Sequence, residues 1–155
     1  MMQIVQAETG KQITAAKQIF REYETWLGMS LCFQGFEEEL NGLPGKYSPP
    51  DGRLYLAFLD DELVGCIAMR KLDEGICEMK RLFLRENARG HGLGNTLIEK
   101  VIAEARSIGY TKMRLDTHPP KMGKAVSLYE SHGFYKIESY YDNPHEGVLF
   151  MEKIL

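Results

Sequence analysis

Arg89-Gly90-His91-Gly92-Leu93-Gly94 is the stretch that decides the fold, because it joins a predicted strand to a predicted helix. The strand ends near Leu84, and apolar residues then recur at helical spacing as far as Ile108. Glycines allow positive φ and close approach of the backbone, and the free N–H groups and dipole of a helix start favour an anion. Arg89 would add a charge-assisted hydrogen bond. The stretch predicts a pyrophosphate site, although a glycine cluster alone fits a plain loop equally well.

Two other glycine-rich nucleotide motifs fit this stretch poorly. A dinucleotide-binding turn requires Gly-x-Gly-x-x-Gly after the first strand of a βαβ unit, whereas a predicted antiparallel meander precedes residues 89–94. The Gly-Lys-Ser/Thr of a phosphate-binding P-loop is absent from the sequence.

Hydrophobic periodicity, glycines and prolines predict an alternating series of elements with the fold class α/β and a mixed sheet. Strands are predicted at residues 4–7, 53–59, 63–72, 76–84, 113–116, 134–140 and 148–154, and helices at 11–27, 33–40, 92–108 and 123–131. The acidic turn Asp60-Asp61-Glu62 joins two of the strands as a hairpin. A helical crossover makes the strand at 113–116 parallel to the strand at 76–84.

Composition sets limits on the class of protein. The 155 residues, 44% of them hydrophobic, predict one domain over residues 1–155. The apolar runs are too short for a membrane span, and the N-terminus lacks the pattern of a secretory signal, which predicts a cytoplasmic protein. A net charge of −3 offers no general attraction to nucleic acid. Cys32, Cys66 and Cys77 lack zinc-like spacing and are expected to be buried, reduced thiols.

Two blocks of sequence together resemble the GNAT superfamily of N-acetyltransferases. Arg89, Gly92 and Gly94 match its acyl-CoA motif, and residues 125–134, Ala-Val-Ser-Leu-Tyr-Glu-Ser-His-Gly-Phe, match the motif that follows. The order of predicted elements extends the resemblance over nearly the whole chain. Where the family often has an asparagine, three residues before Ala125, this chain has Met122.

The resemblance implies a mainly antiparallel sheet whose fourth and fifth strands splay apart, with flanking helices. It implies acetyl-CoA as co-substrate and no metal. The cofactor-binding residues it implies are Leu82, Phe83, Leu84, Arg89, Gly90, His91, Gly92, Leu93, Gly94, Asn95, Thr117 and Ser127.

Acetyl transfer to an amine requires a neutral nucleophile, stabilisation of an oxyanion and a proton for the departing thiolate. Tyr129 matches the family's usual general acid, and backbone groups near residues 82–84 are expected to polarise the carbonyl. Glu78 stands where family members often place a carboxylate that deprotonates the amine through water. Strict alternation puts Glu78, Lys80 and Leu82 on one face of the strand, with Cys77, Met79, Arg81 and Phe83 on the other. Pairing with Lys80, or exposure to solvent, therefore accounts for Glu78 as well as a catalytic role does.

The acceptor site is expected at loops, which the sequence does not shape. Residues 140–147 and the loops near residues 26–36 are candidate borders, and His118 or His145 is an alternative base. His91 is expected to face solvent and His132 to end a helix. The run Glu37-Glu38-Glu39 is expected to be a solvated helix face.

The leading hypothesis is direct acetyl transfer, in a ternary complex, to a small-molecule or peptide amine. A noncatalytic acyl-CoA-binding or sensing module is the alternative. No nucleic acid or membrane partner is expected, and the resemblance is compatible with a homodimer.

Overall fold

In the computed structural model, seven strands form one sheet within the residues that the structure describes, 1–28, 31 and 35–155, without the side chain of Lys121. The strands are β1 (Met2–Gln6), β2 (Arg53–Leu59), β3 (Glu62–Asp73), β4 (Ile76–Leu84), β5 (Lys112–Thr117), β6 (Tyr135–Ile137) and β7 (Leu149–Ile154). The helices are α1 (Gly10–Leu27), α2 (Phe36–Asn41), α3 (Leu93–Ile108) and α4 (Pro119–Ser131). The order across the sheet is β1-β2-β3-β4-β5-β7-β6.

The sheet is antiparallel except between β4 and β5, which are parallel because α3 carries the chain back between them. The predicted hairpin is confirmed: Leu59 lies opposite Glu62, and Asp60 and Asp61 both have positive φ, 49° and 69°. Those angles are those of the two-residue turn whose twist matches antiparallel strands. The predicted α/β fold with a mixed sheet is confirmed.

Several predicted boundaries need correction. The predicted strand 134–140 is shorter, because the chain leaves β7 after Ile137 and the side chains of Tyr140 and Tyr141 bond to β4 and β5. Residues 119–121 add a turn before the predicted last helix, and a break at Met122 (φ −122°, ψ 37°) separates that turn from the rest of α4. The predicted start of the second helix at residue 33 lies outside the described residues.

Each face of the sheet carries its own apolar core. On one face, α3 and α4 pack on a cluster that includes Met79, Leu97 and Met113. On the other face, α1 and α2 pack on a cluster that includes Phe20 and Leu54. The helix α1 presents its apolar stripe inward and begins at a capping box, in which Thr9 and Gln12 each accept the other's backbone N–H.

The expected burial of the cysteines is confirmed for Cys66 and Cys77, which are free thiols in the two cores. Cys32 lies outside the described residues.

Candidate active site

The glycine-rich loop ends at the N-terminus of α3. Gly90 and Gly92 adopt positive φ, 84° and 75°, which a side chain would strain. Thr96 N–H donates to Gly92 O at 3.2 Å, so the N–H groups of residues 93–95 precede the first intrahelical hydrogen bond of α3. Three N–H groups at the positive end of a 16-residue helix favour an anion.

Gly94 has a different function from the two glycines before it. Its φ is not positive, but a Cβ placed on it would meet Leu128 Cδ2 at 3.3 Å and Leu84 Cδ1 at 3.6 Å. The absence of a side chain therefore lets the first turn of α3 pack closely between the end of β4 and α4. Because Leu128 precedes Tyr129, this contact places the helix start next to the predicted general acid.

The side chains around the loop are held in several ways. Arg89 Nε donates to Leu84 O at 3.0 Å, its Cζ lies 4.9 Å from the centre of the Trp26 ring, and its Nη groups have no hydrogen bond within the described residues. His91 is exposed, as predicted. The Asn95 amide donates to Glu99 Oε1 at 3.0 Å, and its Oδ1 contacts His132 Nε2, so its side chain ties α3 to the end of α4.

A β-bulge interrupts β4 at Arg81. Ala68 lies opposite Lys80 and Cys66 opposite Phe83, so β4 has one more residue than β3 between these two pairs. Arg81 has a φ of 61°, and its guanidinium donates twice to Glu39 of α2, at 3.0 and 2.9 Å.

The bulge corrects the predicted alternation along β4. Leu82 packs with Met79 on the face of α3 rather than with Glu78 and Lys80, and Phe83 packs on α1. The reason is the extra residue, which reverses the alternation after it. Glu39 is likewise not part of a solvated face, because it pairs with buried Arg81, whereas Glu37 and Glu38 are exposed as predicted.

The sheet opens between β4 and β5. Their pairing covers only Ile76, Cys77 and Glu78 of β4, and both strands continue beyond the last pair, Glu78 opposite Arg114. A narrow cleft of about 40 Å³ lies in this opening. Its lining includes Tyr23, Leu82, Asp116, Thr117, His118, Met122 and Tyr129. The implied splay of the fourth and fifth strands is confirmed.

The cleft brings together three residues that the resemblance assigns to the site, Leu82, Thr117 and Tyr129. It also contains His118, the alternative base, and Met122, which stands where the family often has an asparagine. Thr117 Oγ1 and His118 Nδ1 are buried and have no hydrogen-bond partner within the described residues. His118 Nε2 lies 3.1 Å from Glu146 O, which can only accept, so Nε2 carries the proton. The cleft therefore contains a hydroxyl and an imidazole nitrogen whose hydrogen-bonding capacity is unused.

Tyr129 is 5% exposed and packs edge-on against Phe134, with ring centres 5.8 Å apart. Burial raises the pKa of Tyr129, and the negative charge of Asp116 raises it further. The phenol therefore keeps its proton at neutral pH, as a group that donates a proton must.

Glu78 is 1% exposed and fully engaged by its neighbours. Its Oε1 accepts from Arg70 Nε at 2.9 Å and lies 3.8 Å from Lys80 Nζ, while its Oε2 accepts from the Tyr140 hydroxyl at 2.6 Å. Burial and the charge and hydrogen bond of Glu78 raise the pKa of Tyr140. The expected pairing with Lys80 is confirmed, exposure is excluded, and a role for Glu78 as the base stays a prediction.

The other predicted residues lie around the cleft rather than in it. Leu93 is buried in the core, so only its backbone faces the loop, and Ser127 is exposed on α4. Phe83 packs on Tyr23 and Trp26.

Sequence reasoning missed Arg70 and Asp116. If the pairing of β3 with β4 continued regularly from the turn at Glu74-Gly75, Lys71 would lie opposite Glu78. A register shift between Lys71 and Asp73 places Arg70 opposite Glu78 instead. Asp116 lies in the cleft and accepts a hydrogen bond from the Tyr141 hydroxyl. Asp116 is two residues beyond Arg114, the last residue of β5 that pairs with β4, so it lies where the two strands separate.

None of the described helices is long and apolar enough to cross a membrane. Nor does the described part of the chain contain a group of three or more His, Cys, Asp or Glu side chains placed to hold a metal ion. A mixed sheet that opens between two parallel strands, beside a glycine-rich helix start, defines the class: an α/β protein with a split sheet.

Comparison with known proteins gives the family. The acetyltransferase (GNAT) family matches residues 14–134. An uncharacterized N-acetyltransferase of Schizosaccharomyces pombe is 40% identical, over 87% of this chain and 83% of that protein. Another, of Dictyostelium discoideum, is 32% identical over 88% and 91%. The PaiA N-acetyltransferase of Thermoplasma acidophilum, solved in complex with coenzyme A, has a TM-score of 0.76 at 21% identity, covering 100% of this chain and 99% of that one. The chain belongs to the GNAT acetyltransferase family.

Proposed function

We propose that the chain, acting as one domain, transfers an acetyl group from acetyl-CoA directly to an amine. One observation carries this proposal: Tyr129, Leu82 and Thr117 meet in the opening of the sheet, and Gly94 packs the helix start against the residue next to Tyr129. Family membership and a structural neighbour in complex with coenzyme A support the same donor.

The donor would be held mainly by backbone groups. The pyrophosphate would bind the N–H groups of residues 93–95, with Gly90 and Gly92 allowing close approach and the Nη groups of Arg89 as a further contact. The pantetheine arm would run along β4 past the bulge, where strand pairing is interrupted. Thr117 Oγ1 offers an unused hydrogen bond in the cleft.

The chemistry follows from the groups in the cleft. The amine attacks the thioester carbonyl carbon, and backbone N–H groups near Leu82 stabilise the oxyanion. Collapse of the tetrahedral intermediate breaks the C–S bond, and the leaving thiolate takes the proton of Tyr129. The proton released by the amine passes to a carboxylate, Glu78 as predicted or Asp116, which lines the cleft.

Direct transfer is favoured over a covalent acetyl-enzyme because the described thiols are poor nucleophiles. Burial raises the pKa of Cys77 to about 12 and also raises the pKa of Cys66. A thiol that is not ionised at neutral pH does not attack a thioester readily.

The first test measures free-thiol release from acetyl-CoA with a panel of amines. Tyr129→Phe is expected to lower kcat by about 10² to 10⁴, the range for loss of a general acid. It should leave stabilisation of the protein by acetyl-CoA intact. Acetyl-CoA binding without turnover of any amine would favour the noncatalytic acyl-CoA-binding module.

A matched pair of variants tests the donor site. Gly92 and Gly109 flank the two ends of α3, both with positive φ and with no heavy atom within 4 Å of an added Cβ. Aspartate tolerates left-handed φ better than most residues, and since Gly109 at 110° lies further outside that region than Gly92 at 75°, the control is the more strained of the two variants. Gly92→Asp should remove the rise in Tm that acetyl-CoA causes, through charge repulsion with phosphate, and Gly109→Asp should retain it. Equal responses in both variants would refute the assignment of the helix start.

A further inference from the structure

A second, larger cavity adjoins the narrow cleft on the face of α1 and α2. Its volume is about 460 Å³, and half of its lining residues are charged, among them Glu38, Glu39, Lys46, Arg70 and Lys80. Lys80 lines both spaces, and Tyr141 of this polar cavity donates a hydrogen bond to Asp116 of the cleft. A small molecule in the polar cavity would therefore have one end at the cleft.

Arg70 is the group in the polar cavity best suited to bind a ligand. Its side chain is 25% exposed and is fixed by one bond, from Nε to Glu78 Oε1 at 2.9 Å. Its two Nη groups have no hydrogen bond within the described residues. A guanidinium held through Nε presents both Nη groups in the geometry that suits a carboxylate.

The charges behind the polar cavity favour an anion. The side chains of Arg70, Lys80 and Arg81 are cationic and no more than 25% exposed, whereas Glu78 and Glu39 are the carboxylates that pair with them. Counted with Asp116, whose charge also acts on Lys80, the group is balanced, so an anion is favoured locally at Arg70 and not by an overall excess of positive charge. Burial and the charge of Arg81 lower the pKa of Lys80, so a nearby anion would help this lysine to keep its proton.

The cleft, by contrast, contains a negatively charged group. Asp116 is half-buried beside Tyr129 and accepts one bond, from Tyr141. A ligand ammonium would be attracted to Asp116 and away from the cations of the polar cavity. The acids at the rim, Glu38 and Asp142, are exposed and therefore screened by solvent and salt.

We infer that the acceptor is a small amino carboxylate, a free amino acid, whose carboxylate is bound by Arg70 and whose amine lies at Asp116 in the cleft. The inference rests on the proposed function and names its substrate class. A polyamine would place its second positive charge against Arg70, Lys80 and Arg81, and an amine without a carboxylate would leave Arg70 without its ligand.

The test compares matched acceptors in the full chain with saturating acetyl-CoA. Each of the twenty amino acids is assayed beside its carboxamide and its decarboxylated amine, with spermidine as the dication. For the preferred amino acid, kcat/KM should exceed that of its carboxamide about 30-fold or more, the effect of losing one partner of a buried charged hydrogen bond.

Two arginine variants separate recognition from folding. Arg70→Met should remove the preference for the carboxylate, mainly through a higher KM for the amino acid, so that the kcat/KM values of the amino acid and its carboxamide converge. Arg106→Met, at an exposed position on α3, should retain the full preference. Should Arg70→Met fold poorly, Arg70→Lys keeps the charge beside Glu78 but loses the planar fork, and should show an intermediate preference.

Each outcome supports or overturns the inference. Turnover of spermidine or simple amines at rates equal to or above those of amino acids would overturn the substrate class and leave acetyl transfer standing. A preference for the carboxylate that survives in Arg70→Met would overturn the assignment of Arg70. Acetyl-CoA binding with no turnover at all would overturn the proposed function itself.

Discussion

The two faces of the sheet are built from different groups. Under α3 and α4 the sheet is apolar, and the features that suit a ligand there are backbone N–H groups, glycines and a bulge. On the opposite face a charged row crosses the sheet, in which Arg70, Glu78, Arg114 and Glu152 lie opposite one another on β3, β4, β5 and β7. Donor binding on the first face would depend on backbone geometry, and acceptor binding on the second on side chains.

That difference explains why the donor is easier to name than the acceptor. Backbone N–H groups at a helix start bind any phosphate, whatever side chains surround them. In the charged row, Arg114 Nε donates to Glu152 Oε2 at 2.8 Å and its Cζ lies 5.5 Å from the centre of the Tyr140 ring. A site built from side chains would change its ligand preference with one substitution, while the fold that presents it stays the same.

The largest expected effect concerns the apolar face. Leu97→Ala, a fully buried site on α3, should lower the free energy of unfolding by about 2 to 5 kcal/mol. It should also weaken the stabilisation by acetyl-CoA, because it loosens the turn after the helix start. Leu54→Ala, equally buried in the core on the opposite face, is the control and should lose comparable stability but keep the acetyl-CoA response. Chemical denaturation with and without acetyl-CoA measures both quantities, and equal acetyl-CoA responses would remove the distinction between the faces.

A smaller effect is expected in the charged row. Glu78→Gln leaves Arg70 and Lys80 without their carboxylate and should cost about 2 to 3 kcal/mol, less than a fully buried pair because Arg70 is partly exposed. Adding Arg70→Met should recover part of that loss, and the double-mutant cycle measures the coupling. Glu37→Gln, which breaks an exposed pair with Arg21, should cause no measurable change. Additive losses in the cycle would show that the pair is not coupled.

The smallest effect is the pH dependence of Glu152. Burial would raise the pKa of Glu152, but hydrogen bonds from Tyr135 and Arg114 and the charge of Arg114 lower it overall. Because the pKa is lower in the folded than in the unfolded state, this stabilisation is present above the unfolded value of 4.5 and is lost as the pH falls through the folded value.

The free energy of unfolding of Glu152→Gln should therefore decline less steeply between pH 7 and pH 3 than that of the original chain. Glu130→Gln, at an exposed position on α4, should follow the original chain. A Glu152→Gln curve parallel to that of the original chain would show that the charged row contributes nothing here.

The bounds of regular strands and helices were predictable from the sequence, because the spacing of apolar residues indicates which side chains are buried. The bounds of β2 and β4 agree with the prediction, and α3 differs by one residue. The bulge at Arg81 was not predictable, since one extra residue in an apolar strand leaves the pattern readable as plain alternation. Because of that single residue, Leu82 and Phe83 each lie on the face of the sheet opposite to the predicted one.

The candidate site divides in the same way. Residues 89–94 and Tyr129 are recognisable because a local segment or a short block carries them. Arg70 meets Glu78 only through an irregular register, and the polar cavity exists only because α2 and residues 140–142 come together over the sheet. Contacts between segments far apart in the chain have no local pattern from which to predict them.

The bulge at Arg81 has a practical consequence for protein engineering. Before it, the even-numbered positions 78 and 80 of β4 lie on the face of α1 and α2, where Lys80 lines the polar cavity, whereas after it Leu82 and Leu84 face the core of α3. A library that alters acceptor preference can therefore randomise position 80 and keep Glu78, which is a candidate base and pairs with Arg70, but the same even-numbered scheme continued to 84 would disrupt the packing of Gly94. Deleting Arg81 would restore an uninterrupted alternation along β4 and turn Leu82 and Leu84 toward the charged face of the sheet. In designs guided by an alignment, keeping the number of residues in β4 is therefore more important than keeping their identity.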